Sequence, residues 1–131
     1  MTGPQVILII EDNARNLKLA RDILNHAGYR TLEAENGEDG LALARAELPD
    51  LVLMDVQLPG IDGVEALGRL RADPLTAEIP VVALTAFAMK DDRDRLLSVG
   101  FDAYLEKPLN VHEFPSQVAA VLRRANVGSR T

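Results

Sequence analysis

The chain has 131 residues, 47% of them hydrophobic, with no cysteine and a formal net charge of -6. This length suits one domain with a real core, and the composition argues against disorder. The missing cysteines exclude a disulfide framework and thiolate metal sites, while the negative charge argues against nucleic-acid binding, which needs a basic surface. No apolar run approaches the roughly 20 residues that span a bilayer, so we expect a cytoplasmic protein without membrane attachment.

Five short apolar segments alternate with five stretches of helical periodicity. Strands are predicted at residues 6–10, 29–34, 51–55, 79–85 and 102–105, and helices at about 17–27, 41–48, 62–73, 90–98 and 110–125. This alternation is typical of a parallel sheet with right-handed crossovers and helices on both faces. Pro115 conflicts with a helix that starts at Asn110, so either the regular helix begins near Pro115 or it is kinked there.

The polarity of the strands indicates their order. The first, third and fourth strands are almost entirely apolar and belong inside, whereas the second contains Arg30 and Glu33 and suits an edge. The order 2-1-3-4-5 satisfies this and gives a doubly wound, flavodoxin-like α/β fold. Its topological switch point then lies between strands 1 and 3, at the carboxyl edge where ligands gather.

Polar groups stand at four of these strand ends. Glu11 and Asp12 end the first strand, the run from Leu51 ends in Asp55, Thr85 ends the fourth strand, and Lys107 follows the last. Neighbouring carboxylates repel unless a cation offsets them, and Lys107 provides one. A second cation is expected to be Mg²⁺, because the available ligands are oxygens with no His or Cys nearby.

Each of these residues also has an ordinary structural interpretation. Asp12-Asn13 can cap the first helix, Asp55 can cap a loop, Thr85 can be a plain strand residue, and Lys107 can be a solvated charge. Their convergence from several strands on one edge favours a functional site.

Five motifs carry a resemblance to a known family. They are Glu11-Asp12, Leu53-Met54-Asp55, Gln57-Leu58-Pro59-Gly60, Leu84-Thr85-Ala86 and Lys107-Pro108. In this order and spacing, which cover nearly the whole chain, they resemble the signature of response-regulator receiver domains of two-component signalling. The stretch at residues 81–90 is most similar to that of single-domain regulators of cell division.

The resemblance implies roles for the site residues. Asp55 would accept a phosphoryl group from a histidine kinase or a histidine phosphotransferase. Asp12, Asp55 and the main-chain carbonyl of Gln57 would bind Mg²⁺, with Glu11 acting through water. Lys107 and Thr85 would bind phosphoryl oxygens, and Tyr104 would be the switch aromatic. The Lys107-Pro108 bond can be cis or trans on sequence grounds.

We therefore expect one receiver domain over residues 1–131, with its core at about 5–125 and no output domain. It would be a signalling protein, monomeric or weakly dimeric, that acts on no substrate beyond its own Asp55. A downstream protein would bind the face of helix 4, strand 5 and helix 5. The candidate partner surface is Phe87, Ala88, Met89, Tyr104 and Val111; core packing is the alternative for about half of these residues.

Three other functions fit the same class of fold. A Mg²⁺-dependent phosphatase with an aspartyl nucleophile typically has a second Asp two residues after the first, where this chain has Gln57. A flavin carrier would need a Ser/Thr/Gly-rich phosphate loop after strand 1, where Glu11-Asp12-Asn13 would repel phosphate. The third is an interaction module that works without phosphorylation, and the complete acidic site argues against it.

Overall fold

A computed structural model describes residues 3–86 and 90–129. The strands are β1 (Val6–Ile10), β2 (Arg30–Ala34), β3 (Leu51–Asp55), β4 (Val81–Thr85) and β5 (Ala103–Glu106). The helices are α1 (Ala14–His26), α2 (Gly37–Glu47), α3 (Gly63–Ala72), α4 (Lys90–Ser98) and α5 (Phe114–Ser129). Strands and helices alternate as the periodicity predicts.

The five strands form one parallel sheet in the order β2-β1-β3-β4-β5. The predicted fold class and strand order are thereby confirmed. β3 and β4 are buried along their whole length, whereas the edge strand β2 has an exposed Arg30 and a half-buried Glu33. Polarity identifies the edge because a charged side chain in the middle of a two-sided sheet would lose its hydration.

The sheet separates two apolar clusters, because successive residues of a strand point to opposite faces. The first cluster lies under α1 and α5 and includes Ile9, Leu53, Leu84, Leu24 and Phe114. The second lies under α2, α3 and α4 and includes Ile10, Met54, Ala83, Leu67 and Leu96. Fully burying one such Leu, Ile or Phe side chain contributes about 1.5–3 kcal/mol, so these two layers hold the helices on the sheet.

Side chains cap three of the helices. Asn13, Asn36 and Asp62 each accept hydrogen bonds from backbone N–H groups in the first turn of α1, α2 and α3, respectively. The regular part of the last helix begins at Phe114, which places Pro115 in the first turn, where its missing N–H costs nothing. Of the two alternatives at Pro115, the later helix start is therefore the correct one.

The start of β4 differs from the prediction. The strand begins at Val81, two residues after the predicted Ile79. Pro80 has no N–H to donate to the ladder and stands just outside the strand, although its carbonyl oxygen still accepts a 2.9 Å hydrogen bond from the N–H of Val52.

At the edge where the strands begin, Arg71 of α3 joins several elements. Its guanidinium donates to the carbonyl oxygens of Ala77 (3.0 Å) and Ile79 (2.6 Å) and to Asp102 Oδ2 (2.8 Å). The same Asp102 oxygen accepts a 2.7 Å bond from the N–H of Val81. The end of α3, the α3–β4 loop and the starts of β4 and β5 are thus tied to one another.

None of the helices within residues 3–86 and 90–129 combines the length and apolar character that crossing a membrane requires.

Candidate phosphorylation and metal site

The end of β1 turns one carboxylate inward and leaves the next one outside. The N–H of Glu11 donates to the carbonyl oxygen of Ala34 (3.0 Å), and Glu11 Oε2 accepts from the N–H of Asn13 (3.1 Å). The Glu11 side chain is 1% exposed, whereas Asp12 is exposed. Asn13 rather than Asp12 caps α1, so the cap does not occupy the Asp12 carboxylate.

Asp55 ends β3 with both carboxylate oxygens engaged. Its Oδ1 accepts a 2.9 Å hydrogen bond from the N–H of Gln57, and its Oδ2 lies 2.7 Å from Lys107 Nζ. Two main-chain hydrogen bonds hold the loop after Asp55. The N–H of Val56 donates to the carbonyl oxygen of Leu84, and the N–H of Gly63 donates to the carbonyl oxygen of Val56. The Asp55 side chain is therefore buried and fixed in direction.

Lys107 brings the third charge to this edge. Its ammonium lies 2.7 Å from Asp55 Oδ2 and 2.8 Å from Glu11 Oε1, and its N–H donates to the carbonyl oxygen of Thr85. The peptide bond between Lys107 and Pro108 is cis. Burial by itself would lower the pKa of Lys107, but its hydrogen bonds to the two carboxylates outweigh burial and raise that pKa.

The inward carboxylate, Glu11, lies in surroundings that disfavour its negative charge. Burial and a hydrogen bond with Asp55 raise the pKa of Glu11 from 4.5 to about 7, although Lys107 and the N–H of Asn13 oppose the rise. Glu11 Oε1 is buried without a hydrogen bond of good geometry within the described residues; its neighbour is the Lys107 ammonium at 2.8 Å. Lys107 therefore only partly compensates the negative charge of Glu11.

The acidic residues fit a divalent cation. One oxygen each of Glu11, Asp12 and Asp55 lies within 4.8 Å of the others, close enough for a single ion to contact or to reach through water. All three ligands are hard oxygens, which Mg²⁺ prefers, and the exposed Asp12 leaves a side open for the waters that Mg²⁺ retains. Glu11 Oε1 is buried, and its contact with the Lys107 ammonium at 2.8 Å leaves the negative charge of Glu11 only partly compensated, so a further cation would be accommodated here.

Thr85 and Tyr104 lie on the α4 side of the sheet. Thr85 is buried at the end of β4, and half-buried Tyr104 packs on the second apolar cluster. In the register of β4 and β5, Tyr104 stands opposite Ala83, two residues before Thr85. Of the candidate partner surface, Val111 is exposed in the turn before α5, and Phe87, Ala88 and Met89 lie outside the described residues.

Two residues that the sequence did not single out contribute to this region. Gly63, at the start of α3, packs its Cα against the backbone of Asp55 and Val56. Arg93 of α4 reaches the Tyr104 ring. The role of Gly63 could have been inferred from the position of a glycine directly after the Asp62 cap. The helical periodicity of α4 gives no indication of the role of Arg93.

Comparison with known proteins identifies the family of the chain. The sequence profile described as "Response regulator receiver domain" matches residues 7–119. The polar-differentiation response regulator DivK of Brucella anthropi is 44% identical over 119 residues, which cover 91% of this chain and 97% of that protein.

Solved structures give the same result. A response regulator receiver domain protein (CheY-like) from Methanospirillum hungatei JF-1 superposes with a TM-score of 0.86 at 27% identity, covering 96% of this chain and 99% of that one. The receiver domain of sensor histidine kinase PA1611 from Pseudomonas aeruginosa PAO1, solved with a magnesium ion coordinated in its active site cleft, gives 0.80 at 33% identity, with 93% and 97% covered. With a profile match over most of its length and relatives of this similarity, the chain belongs to the response regulator receiver domain family.

Proposed function

We propose that the chain is a phosphorylatable receiver whose Asp55 accepts a phosphoryl group from the phosphohistidine of a histidine kinase or histidine phosphotransferase. The observation that carries the proposal is the environment of Asp55. It is a buried carboxylate, with the Lys107 ammonium at 2.7 Å from one oxygen and the Gln57 N–H at 2.9 Å from the other. Two further carboxylates lie beside it. A plain loop cap would not need this concentration of charge.

The proposed reaction is an in-line displacement at phosphorus. A carboxylate oxygen of Asp55 attacks, the new oxygen–phosphorus bond forms as the phosphorus–nitrogen bond breaks, and the imidazole leaves with the electron pair. Such transfers depend on positioning and on neutralisation of charge spread over the phosphoryl oxygens. The Lys107 ammonium already stands beside Asp55, and the Thr85 hydroxyl ends the adjacent strand, so both can bind those oxygens.

The acidic residues would hold Mg²⁺ in this reaction. Asp12, Asp55 and the Gln57 carbonyl are the proposed direct ligands, and Glu11 would act through water. Mg²⁺ supplies charge neutralisation and fixes the orientation of phosphoryl oxygens when it is bound. Two observations support this assignment: the three carboxylate oxygens lie within 4.8 Å of one another, and the charge of the buried Glu11 is only partly compensated by Lys107.

The proposed output is a change at Thr85 and Tyr104. A phosphoryl group on Asp55 would draw the Thr85 hydroxyl toward it and make room for the Tyr104 ring, which stands on the same face of the sheet. A downstream protein would read the result on the surface of α4, β5 and α5, which includes Tyr104 and Val111. From the sequence, we expect Phe87, Ala88 and Met89 to belong to that surface as well.

Phosphorylation is tested by incubating the protein with Mg²⁺ and acetyl phosphate or phosphoramidate and measuring intact mass. We expect the mass of one phosphoryl group to appear on the wild type, to be lost in acid or hydroxylamine, and to be missing from Asp55→Asn. Asp94→Asn, which changes an exposed carboxylate of α4, is the matched control and should be labelled like the wild type. Labelling of Asp55→Asn at the wild-type rate would contradict the assignment.

A further inference from the structure

The side chain of Arg93 is fastened to Tyr104 by two contacts. Its Nη1 donates a 3.1 Å hydrogen bond to the phenolic oxygen, and its guanidinium carbon lies 5.7 Å from the centre of the ring. Both residues are half-buried, so the contact is partly shielded from water. A guanidinium at this distance is attracted to an aromatic ring beyond its hydrogen bond.

A cavity lies beside Thr85, the residue toward which the ring would move. A cavity of about 310 Å³ opens between the end of β4 and α4, and its described lining is Val56, Gln57, Thr85, Asp92, Arg95 and Leu96. Tyr104 is not among these lining residues. Ala83, the strand neighbour of Tyr104, is small, so the path along this face of the sheet toward Thr85 passes no bulky β4 side chain.

We propose that Arg93 is a positioning residue that holds Tyr104 away from Thr85 and thereby lowers the affinity of the site for a phosphoryl group. This inference rests on the proposed function. Arg93 belongs to α4, and its hydrogen bond to the phenolic oxygen requires the ring to stay where it is. Movement of Tyr104 toward Thr85 breaks that bond, and the lost contacts oppose any ligand that needs the inward ring. The apparent affinity equals the intrinsic affinity multiplied by the fraction of molecules whose ring is free to move, so it falls as that fraction falls.

The test is titration of the full chain with Mg²⁺ and beryllofluoride, an analogue of a phosphoryl group bound to a carboxylate. Arg93→Met removes both contacts and keeps an unbranched side chain. We expect this variant to bind beryllofluoride roughly three- to tenfold more tightly than wild type, because a partly exposed cation–ring contact and one hydrogen bond are lost only from the competing conformation. Arg69→Met, which removes an exposed arginine paired with Glu65 on α3, is the control and should bind like wild type.

A second readout separates positioning from a general effect on folding. With ¹³C-labelled tyrosine, the ring signal of Tyr104 in ligand-free Arg93→Met should shift part of the way toward its beryllofluoride-bound position, and Arg93→Lys should restore part of the wild-type position. In a Tyr104→Leu background, Arg93→Met should no longer change the affinity. Equal affinities of wild type and Arg93→Met, or an equal effect of Arg93→Met with and without the ring, would overturn the inference.

The two proposals fail in different ways. If no variant binds beryllofluoride and Asp55 is never labelled, the proposed function is wrong. If wild type binds and is labelled but Arg93→Met binds no more tightly, only the role of Arg93 is wrong.

Discussion

Replacing Gly63 with alanine measures how closely α3 must approach the loop that carries the candidate acceptor. A Cβ on Gly63 would lie 2.7 Å from the carbonyl oxygen of Asp55 and 2.8 Å from the Cα of Val56, whereas ordinary contacts begin near 3.4 Å. Both neighbours are backbone atoms, so no side-chain rotation relieves the clash. The first turn of α3 and the loop must separate by roughly 0.7 Å. Overpacking of this kind typically costs about 1–3 kcal/mol in free energy of unfolding.

The same displacement should also slow phosphorylation of Asp55. The loop places the Gln57 N–H at 2.9 Å from Asp55 Oδ1, and the N–H of Gly63 itself bonds to Val56. A misplacement approaching 1 Å can cost on the order of a hundredfold in rate. We therefore expect Gly63→Ala to be labelled by acetyl phosphate at least about tenfold more slowly than wild type.

Gly68→Ala is the matched control on the same helix. Nothing lies within 4 Å of the Cβ it would gain, and the residue is exposed. Glycine costs roughly 0.5–1 kcal/mol relative to alanine in a helix interior, so this variant should be slightly more stable than wild type and labelled normally. Urea unfolding and the rate of mass labelling measure the two effects. Wild-type stability and wild-type labelling of Gly63→Ala would refute the reasoning.

Three further expectations follow from other contacts. Arg71→Met should lower the free energy of unfolding by about 1–3 kcal/mol in urea denaturation, because two partly buried carbonyl groups and a carboxylate lose their donor together. It should leave beryllofluoride affinity unchanged; a fall in that affinity would show that the two edges of the sheet are coupled. The raised pKa of Glu11, about 7 against an ordinary 4.5, means that the metal-free folded chain binds more protons than the unfolded chain between those values. Its free energy of unfolding should therefore fall as pH rises through that interval, and Glu11→Gln should flatten the dependence; superimposable pH curves for the two proteins would contradict this. Mg²⁺ titration should show weak binding that Asp12→Ala reduces more than Glu11→Gln does, since the inward Glu11 is already paired with Lys107, and the reverse ranking would count against the ligand assignment.

The buried strands and their order could be predicted because they depend on local patterns. Four or five consecutive apolar residues between turn signals are enough to identify β1, β3 and β4, and the charges of Arg30 and Glu33 are enough to place β2 at the edge. The strand ends then bring Glu11, Asp55 and Lys107 to one edge, since parallel strands share their carboxyl side.

Other features depend on distances that no local pattern encodes. The inward turn of Glu11 and the outward direction of Asp12 follow from the N–H of Asn13, which bonds the Glu11 carboxylate. The contact between Arg93 and Tyr104 depends on how α4 is rotated over β5, and helical periodicity alone does not fix that rotation. The close approach of Gly63 likewise depends on how α3 docks after its cap.

The hydrogen bonds of Arg71 lie at the edge of the sheet where the strands begin, opposite the edge that carries Asp55 and Lys107. Arg71 and Asp102 fasten the first residue of β4 to α3 and β5, whereas the last residue of β4 is Thr85, beside the cavity under α4. β4 is therefore tied at its first residue by side-chain bonds, whereas at its other end the carbonyl oxygen of Thr85 accepts a main-chain bond from the N–H of Lys107. Amide hydrogen exchange should reflect this as a gradient along a single strand, slowest at Val81 and faster approaching Thr85. Because β4 is held by these side-chain bonds at Val81, a rearrangement at Thr85 need not loosen the apolar core beneath the strand.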